Sequence, residues 1–186
     1  MPADARRTMI LDAALPLILE HGEKVTTSEI AVAAEIAEGT IFRVFANKDE
    51  LIHAVVDRTL DPAPTEAAIA AVDTSVGLER SVVEVVKLLQ KRFSEVWQLM
   101  SSVGPRFHAH SGPFDSPALA NLFKHFSSEL DAKPVEAAQL LRGVTISLSH
   151  NMFTPVAAPP ERVAQRFLHG VSLRPSGALS GKNKPC

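Results

Sequence analysis

The chain has 186 residues, 46% of them hydrophobic and 22% charged, with a formal net charge of −2 at pH 7. This composition suits one or two folded cores and excludes global disorder. A single cysteine, Cys186, rules out a framework of internal disulfides, and no run approaches the roughly 20 apolar residues of a membrane helix, so a cytoplasmic protein with no membrane partner is expected.

Glycine and proline cluster at the ends of segments with helical period, and strand-like alternation is scarce, so an all-α fold is expected. The first helix is predicted over residues 5–21, burying Ile10, Ala13, Ala14, Leu17 and Ile18 and stopping at Gly22 in a left-handed conformation. Pro16 lies inside it and predicts a kink, because proline removes a hydrogen bond to the Asp12 carbonyl. Arg6 and Arg7 precede an apolar stretch in the manner of a signal peptide, but Asp12 interrupts that stretch and Glu20 and His21 follow without a small-residue cleavage site.

The segment from Thr26 to Phe45, TTSEIAVAAEIAEGTIFRVF, reads as two short helices joined by a tight turn, a helix-turn-helix. Thr26 and Glu29 have the spacing of a capping box, in which hydroxyl and carboxylate satisfy each other's backbone N–H groups. Ile30, Ala31 and Ala34 share one face of the first helix. The second is expected to start near Glu38, turning Ile41, Phe42 and Phe45 inward and leaving Thr40, Arg43 and Val44 outward as DNA readers. Arg43 suits guanine O6 and N7 or a phosphate, Thr40 a thymine methyl or a phosphate, and Glu38 either cytosine N4 or simple support of its own helix terminus. Gly39 allows close backbone approach.

Asn47 and Glu50 predict the start of a fourth helix, with Leu51, Ile52, Val55 and Val56 as its buried stripe and Lys48 in its first turn, where a helix N-terminus favours anions. Residues 1–60 carry six Lys/Arg against ten Asp/Glu, so bulk DNA should be bound poorly and a few placed cations must position any specific complex.

In three segments, ILDAALPLILEHG from Ile10, TTSEIAVAA, and GTIFRVF followed by NKDELI, the chain resembles the tetracycline-repressor (TetR) family of bacterial transcriptional regulators. The resemblance covers about the first third of the chain. It implies an N-terminal DNA-binding domain, a C-terminal ligand-binding and dimerisation domain, phosphate contacts at Thr26, Thr27 and Lys48, and a homodimer acting as a repressor. Phe42 and Val44 stand where family members often carry a phosphate-contacting Tyr or His, and Glu35 and Ala37 stand where the turn often has Gly and Ser.

Pro62 and Pro64 end the fourth helix and place a boundary between a DNA-binding domain, residues 1–60, and an effector domain, residues 61–173. The longest helix is predicted from Leu78 to Val103, followed by an irregular stretch to Pro117, a helix through Leu119, Leu122, Phe123, Phe126 and Leu130, another from Pro134 to His150, and a last one from Pro160. Residues 174–186 read as a disordered tail. The last two helices carry wider apolar faces than one small domain can cover, so two copies would form a four-helix bundle and read an approximate palindrome with half-sites about 34 Å apart.

Phe93, Trp97, Met100, Phe107, Phe123 and Phe126 are candidates to line an apolar pocket for a small lipophilic ligand, with Arg106, His108 and His110 at its mouth; at helical spacing the same aromatics also suit a plain core. His108-x-His110 suggests a metal, but helical metal sites prefer a spacing of three or four, and no metal or cofactor is expected. There is no Gly-rich phosphate loop, nucleophile elbow or triad context, so no enzyme is expected. The competing classes are a helical ligand-binding or protein-interaction module with a weakened reading head, and a metal-responsive regulator.

Overall fold

The computed structural model describes residues 2–107, 115–150, 153, 154 and 156–171. Among these residues the fold is all-α, without a strand, and the chain forms two compact units.

The first unit comprises Met1–Pro64 and Lys91–Pro113. Helix α1, Ala3–His21, continues through Pro16, which lies on its exposed side, and buries Ile10, Leu11, Ala14 and Ile18. Gly22 ends it at φ +59°, and its N–H returns to the Ile18 carbonyl. Helix α2, Thr27–Ala33, starts at the expected capping box: the Glu29 N–H donates to Thr26 Oγ1 at 3.2 Å, and the Thr26 N–H donates to Glu29 Oε2 at 2.8 Å. Helix α3 spans only Glu38–Ile41. Helix α4, Lys48–Leu60, is capped by Asn47, whose Oδ1 accepts from the Glu50 N–H at 2.8 Å. The Glu50 carboxylate reaches back one residue beyond the cap and accepts from the Ala46 N–H at 2.6 Å.

These helices do not close their core alone. Leu99, Val103 and Phe107, from the end of the long helix and the 3-10 turn Pro105–Phe107, are buried in one cluster with Ile10, Ile30, Ile41, Phe45 and Ile52. Their docking is specific. Ser102 Oγ donates to the Leu19 carbonyl at 3.2 Å, the Arg92 guanidinium donates to the Thr59 carbonyl near the end of α4, and the His53 and Phe107 rings lie 4.8 Å apart. A Cβ at Gly22 would collide with the Ser102 carbonyl oxygen. The sequence-based boundary at residue 60 therefore omits a later segment that completes the first unit.

The second unit comprises Thr65–Gln90 and Phe114–Cys186. Helix α5, Ala63–Ala70, begins inside the proline-rich stretch at which the boundary was expected, since a proline in a first helical turn lacks only an N–H that has no partner there anyway. Helix α6, Leu78–Ser102, gives its residues up to Gln90 to this unit and the rest to the first. Helices α7, Pro117–His125, α8, Pro134–Ser149, and α9, Pro160–Val171, complete it. Val82, Val85, Val86, Leu89, Leu119, Phe123, Leu141, Val163 and Phe167 form its interior, with the Phe123 and Phe167 rings 5.4 Å apart. Gln90 donates to Ser149 Oγ at 2.7 Å and to the Ala158 carbonyl at 2.9 Å. Glu66 accepts from Ser116 Oγ and, at 2.9 Å, from the Ala118 N–H, which ties α5 to the start of α7. Beside them, burial pushes the Arg142 guanidinium down from its ordinary pKa, against the pull of Glu66 and Asp115.

Candidate nucleic-acid interface

The α2–α3 segment is fixed from inside. Ile30, Ala31, Ile41 and Phe45 are buried, and the turn between the helices passes through Glu35 at φ +53°, a left-handed conformation that costs a non-glycine residue roughly 1–2 kcal/mol. Its N–H donates to the Val32 carbonyl at 3.1 Å, and the Ile36 N–H to Ala31 at 3.0 Å, so the turn is held by main-chain bonds. Ala37, at the cap of α3, offers no side-chain acceptor. The start of α3 is secured instead by Glu38, whose Oε1 accepts from Thr27 Oγ1 at 2.6 Å.

With that inner face anchored, Thr26, Glu38, Gly39 and Arg43 are exposed, and Thr27 and Thr40 are half-buried. A side chain at Gly39 would meet nothing within 4 Å. Two neighbours depart from the expected pattern. Phe42, expected inward, is 51% exposed, and Val44, expected outward, packs partly against the core. The cause is the length of α3: it ends at Ile41, and the chain tightens into turns through residue 44, so the 3.6-residue period no longer assigns faces.

The cations are unevenly committed. Lys48 Nζ points back into the protein, donating to the Glu23 carbonyl at 2.7 Å and the Val25 carbonyl at 3.2 Å. Arg58 pairs with Asp12 at 2.8 Å, and the Arg7 guanidinium lies over the Phe45 ring at 4.5 Å from its centroid. Among the described residues the side chains of Arg6, Lys24 and Arg43 form no ion pair or hydrogen bond. Arg6 and Arg43 border one cleft of about 440 Å³, with Met9, Ala34, Glu35, Ile36, Ala37 and Thr40. Arg6 escaped the sequence reading because only α1's face, which sets it one turn before Met9 and Ile10, reveals it.

The candidate pocket residues are divided. Phe107 is buried in the core of the first unit, Met100 packs against that core, Phe93 is half-buried and Trp97 is 40% exposed. Phe123 and Phe126 are buried in the second unit. His108 and His110 lie outside the described residues. Two concavities of the second unit use other side chains. One, of about 680 Å³, has an apolar floor of Ala68, Ala71, Val72, Val83 and Leu88 and a rim bearing Asp73, Glu79, Arg80, Glu84 and Glu161. The other, of about 830 Å³, runs along α8 past Leu140, Gly143, Val144 and Leu148 to Arg166 of α9. Among the described residues no group of three or more His, Cys, Asp or Glu is placed to hold a metal ion, and no helix is long and apolar enough to cross a membrane.

The chain is similar in sequence and fold to known proteins. The profile of the bacterial regulatory proteins of the tetR family matches residues 10–55. The HTH-type transcriptional repressor Rv3405c of Mycobacterium tuberculosis is 33% identical over 133 residues, covering 60% of this chain and 71% of its own. Among solved structures, a TetR-family regulator from Mesorhizobium loti aligns with a TM-score of 0.61 at 16% identity, over 93% of this chain and 100% of its own. SmeT, the repressor of the multidrug efflux pump SmeDEF of Stenotrophomonas maltophilia, aligns at 0.57 and 20% identity over 90% of each chain.

Proposed function

This chain belongs to the TetR family of bacterial transcriptional regulators, and from that premise we propose that it is a repressor whose homodimer binds a palindromic operator and is released by a small lipophilic ligand. The observation that carries the reading is the setting of Arg43. Its side chain is exposed and uncommitted in the turn that follows α3, between Ile41 and Phe45, which are locked in the core. A planar fork held this way suits guanine or a phosphate, while Gly39 lets the backbone come close, Thr40 supplies a hydroxyl, and the Thr26 and Thr27 hydroxyls would exchange their bonds to Glu29 and Glu38 for a phosphate. Glu38, engaged by Thr27, acts first as support for α3. Lys48, turned inward, contributes the placement of α4 rather than its own charge, and Val44 acts through packing.

The α8 groove, with Leu140 48% exposed and Val135 54% exposed on the same helix, supports a second copy of this chain as the occupant of that surface. The apolar-floored cavity with its carboxylate-rich rim supports a lipophilic effector bearing positive charge. DNA and effector would then be coupled reciprocally through their preference for different arrangements of the dimer.

The test is selection of bound duplexes from a random DNA pool by the purified protein, followed by affinity titration of the enriched site. An approximate palindrome is expected, with Arg43→Ala weakening it about tenfold to a hundredfold, the loss of roughly 1.5–3 kcal/mol expected when a charged hydrogen-bond partner is removed, while dimerisation is unchanged. Absence of any enriched sequence at low salt would instead support a helical interaction module.

A further inference from the structure

We infer that Arg6 is a second DNA-holding residue, and that the cleft between the start of α1 and the α2–α3 turn receives a backbone phosphodiester gripped by Arg6 and Arg43 together. This rests on the DNA-binding reading above and adds to it a site on a different helix.

Three observations converge. First, the unit is short of usable positive charge: Lys48 is consumed by the Glu23 and Val25 carbonyls, Arg58 by Asp12, and Arg7 by the Phe45 ring. Second, of the three cations in residues 1–60 that remain uncommitted among the described residues, Arg6 and Arg43 border the same concavity although they are 37 positions apart in sequence. Third, that concavity also presents Thr40, a hydroxyl donor, and its floor of Met9 and Ile36 displaces water without competing for the guanidinium groups. Glu35 is the one carboxylate on its border, and it forms no ion pair with either arginine.

Two like charges border the cleft with neither ion-paired, and the single carboxylate Glu35 leaves a net positive charge there for an anion to meet. A phosphodiester satisfies both and releases condensed counter-ions from the duplex. The contact reads no base, so it fixes the register in which α3 meets the groove.

The experiment compares wild type, Arg6→Gln and Arg6→Lys on a random-sequence duplex and on the selected operator, across a range of salt concentrations. Arg6→Gln is expected to reduce the slope of log affinity against log salt by about 0.9 for each bound chain, equally on both duplexes, and Arg6→Lys to restore it. Methylphosphonate replacement at single positions should weaken the wild type at one phosphate per half-site and weaken Arg6→Gln less at that position, where Arg43 alone remains. An unchanged slope in Arg6→Gln overturns the inference while leaving the DNA reading intact, and so does an altered base preference. Failure of the wild type to bind any duplex overturns both. Inorganic phosphate is expected to leave the melting temperature unmoved; an Arg6-dependent rise would make the cleft a small-anion site and overturn its assignment to DNA.

Discussion

The two units put similar helices to opposite use. In the first, α2, α3 and α4 are pinned by individual hydrogen bonds, and the exposed large apolar side chains, Leu19, Val32, Phe42 and Trp97, lie on four separate segments. In the second, the helices pack through broad apolar faces and leave Val135 and Leu140 exposed on α8, and Val76, Phe153 and Val156 exposed between helices. A surface that must meet a phosphate or a base edge needs polar groups at fixed positions, so its helices are stopped and capped residue by residue. A surface that meets a second copy or an apolar molecule needs area, which tolerates less exact placement.

The most severe way to break this contrast is to charge the broad face. If the proposed dimer forms through this face, Leu140→Arg is expected to sediment as a monomer while the helical signal persists, and to lower operator affinity by about 10²–10⁴ through loss of the second half-site. Next is the tight packing of the first unit. Gly22→Ala places a side chain against the Ser102 carbonyl at a positive φ, and should cost on the order of 1–3 kcal/mol in denaturant unfolding. Gly39→Ala meets no obstacle, so stability should hold or rise by up to about 1 kcal/mol, while operator binding falls if the backbone approaches the duplex there. Thr27→Val removes the bond that holds Glu38, with an expected cost of about 0.5–1.5 kcal/mol and a shift in half-site preference visible on repeating the selection.

The smallest effect is a pH dependence. The Thr26 backbone N–H, and then its hydroxyl, hold the Glu29 carboxyl below its ordinary value of 4.5. Because the folded value is the lower one, this contribution to stability is complete above about pH 4.5 and fades as the pH falls through the folded value. Melting temperature measured down this range should fall less for Glu29→Gln than for wild type.

What could be read from the sequence follows from the distance over which each cause acts. The Thr26–Glu29 box, the Asn47 cap and the Gly22 stop involve partners within four residues, and each stands where the residue types place it. Phe42 and Val44 were assigned to the wrong faces because α3 ends after four residues, a length set by packing around Ile41 and Phe45. The prolines at 62 and 64 hid α5 because a helix start and a linker share that signal. Phe107 suits a pocket or a core by residue type alone, because its packing partners, among them Ile10 and Ile52, lie far back in the chain. Arg6 became visible only when α1 and the α2–α3 turn were seen to border one cleft.

The interrupted first unit also bears on protein engineering. A reading head is an attractive part to transplant onto another sensor, and a cut after residue 60 looks natural from the sequence. Such a graft would leave behind Leu99, Val103 and Phe107, the Arg92 contact to Thr59 and the Ser102 contact to Leu19, and expose the apolar hollow they fill. A working chimera must carry two pieces of this chain, residues 1–64 and 91–113, and accept its foreign sensor as an insertion between and after them.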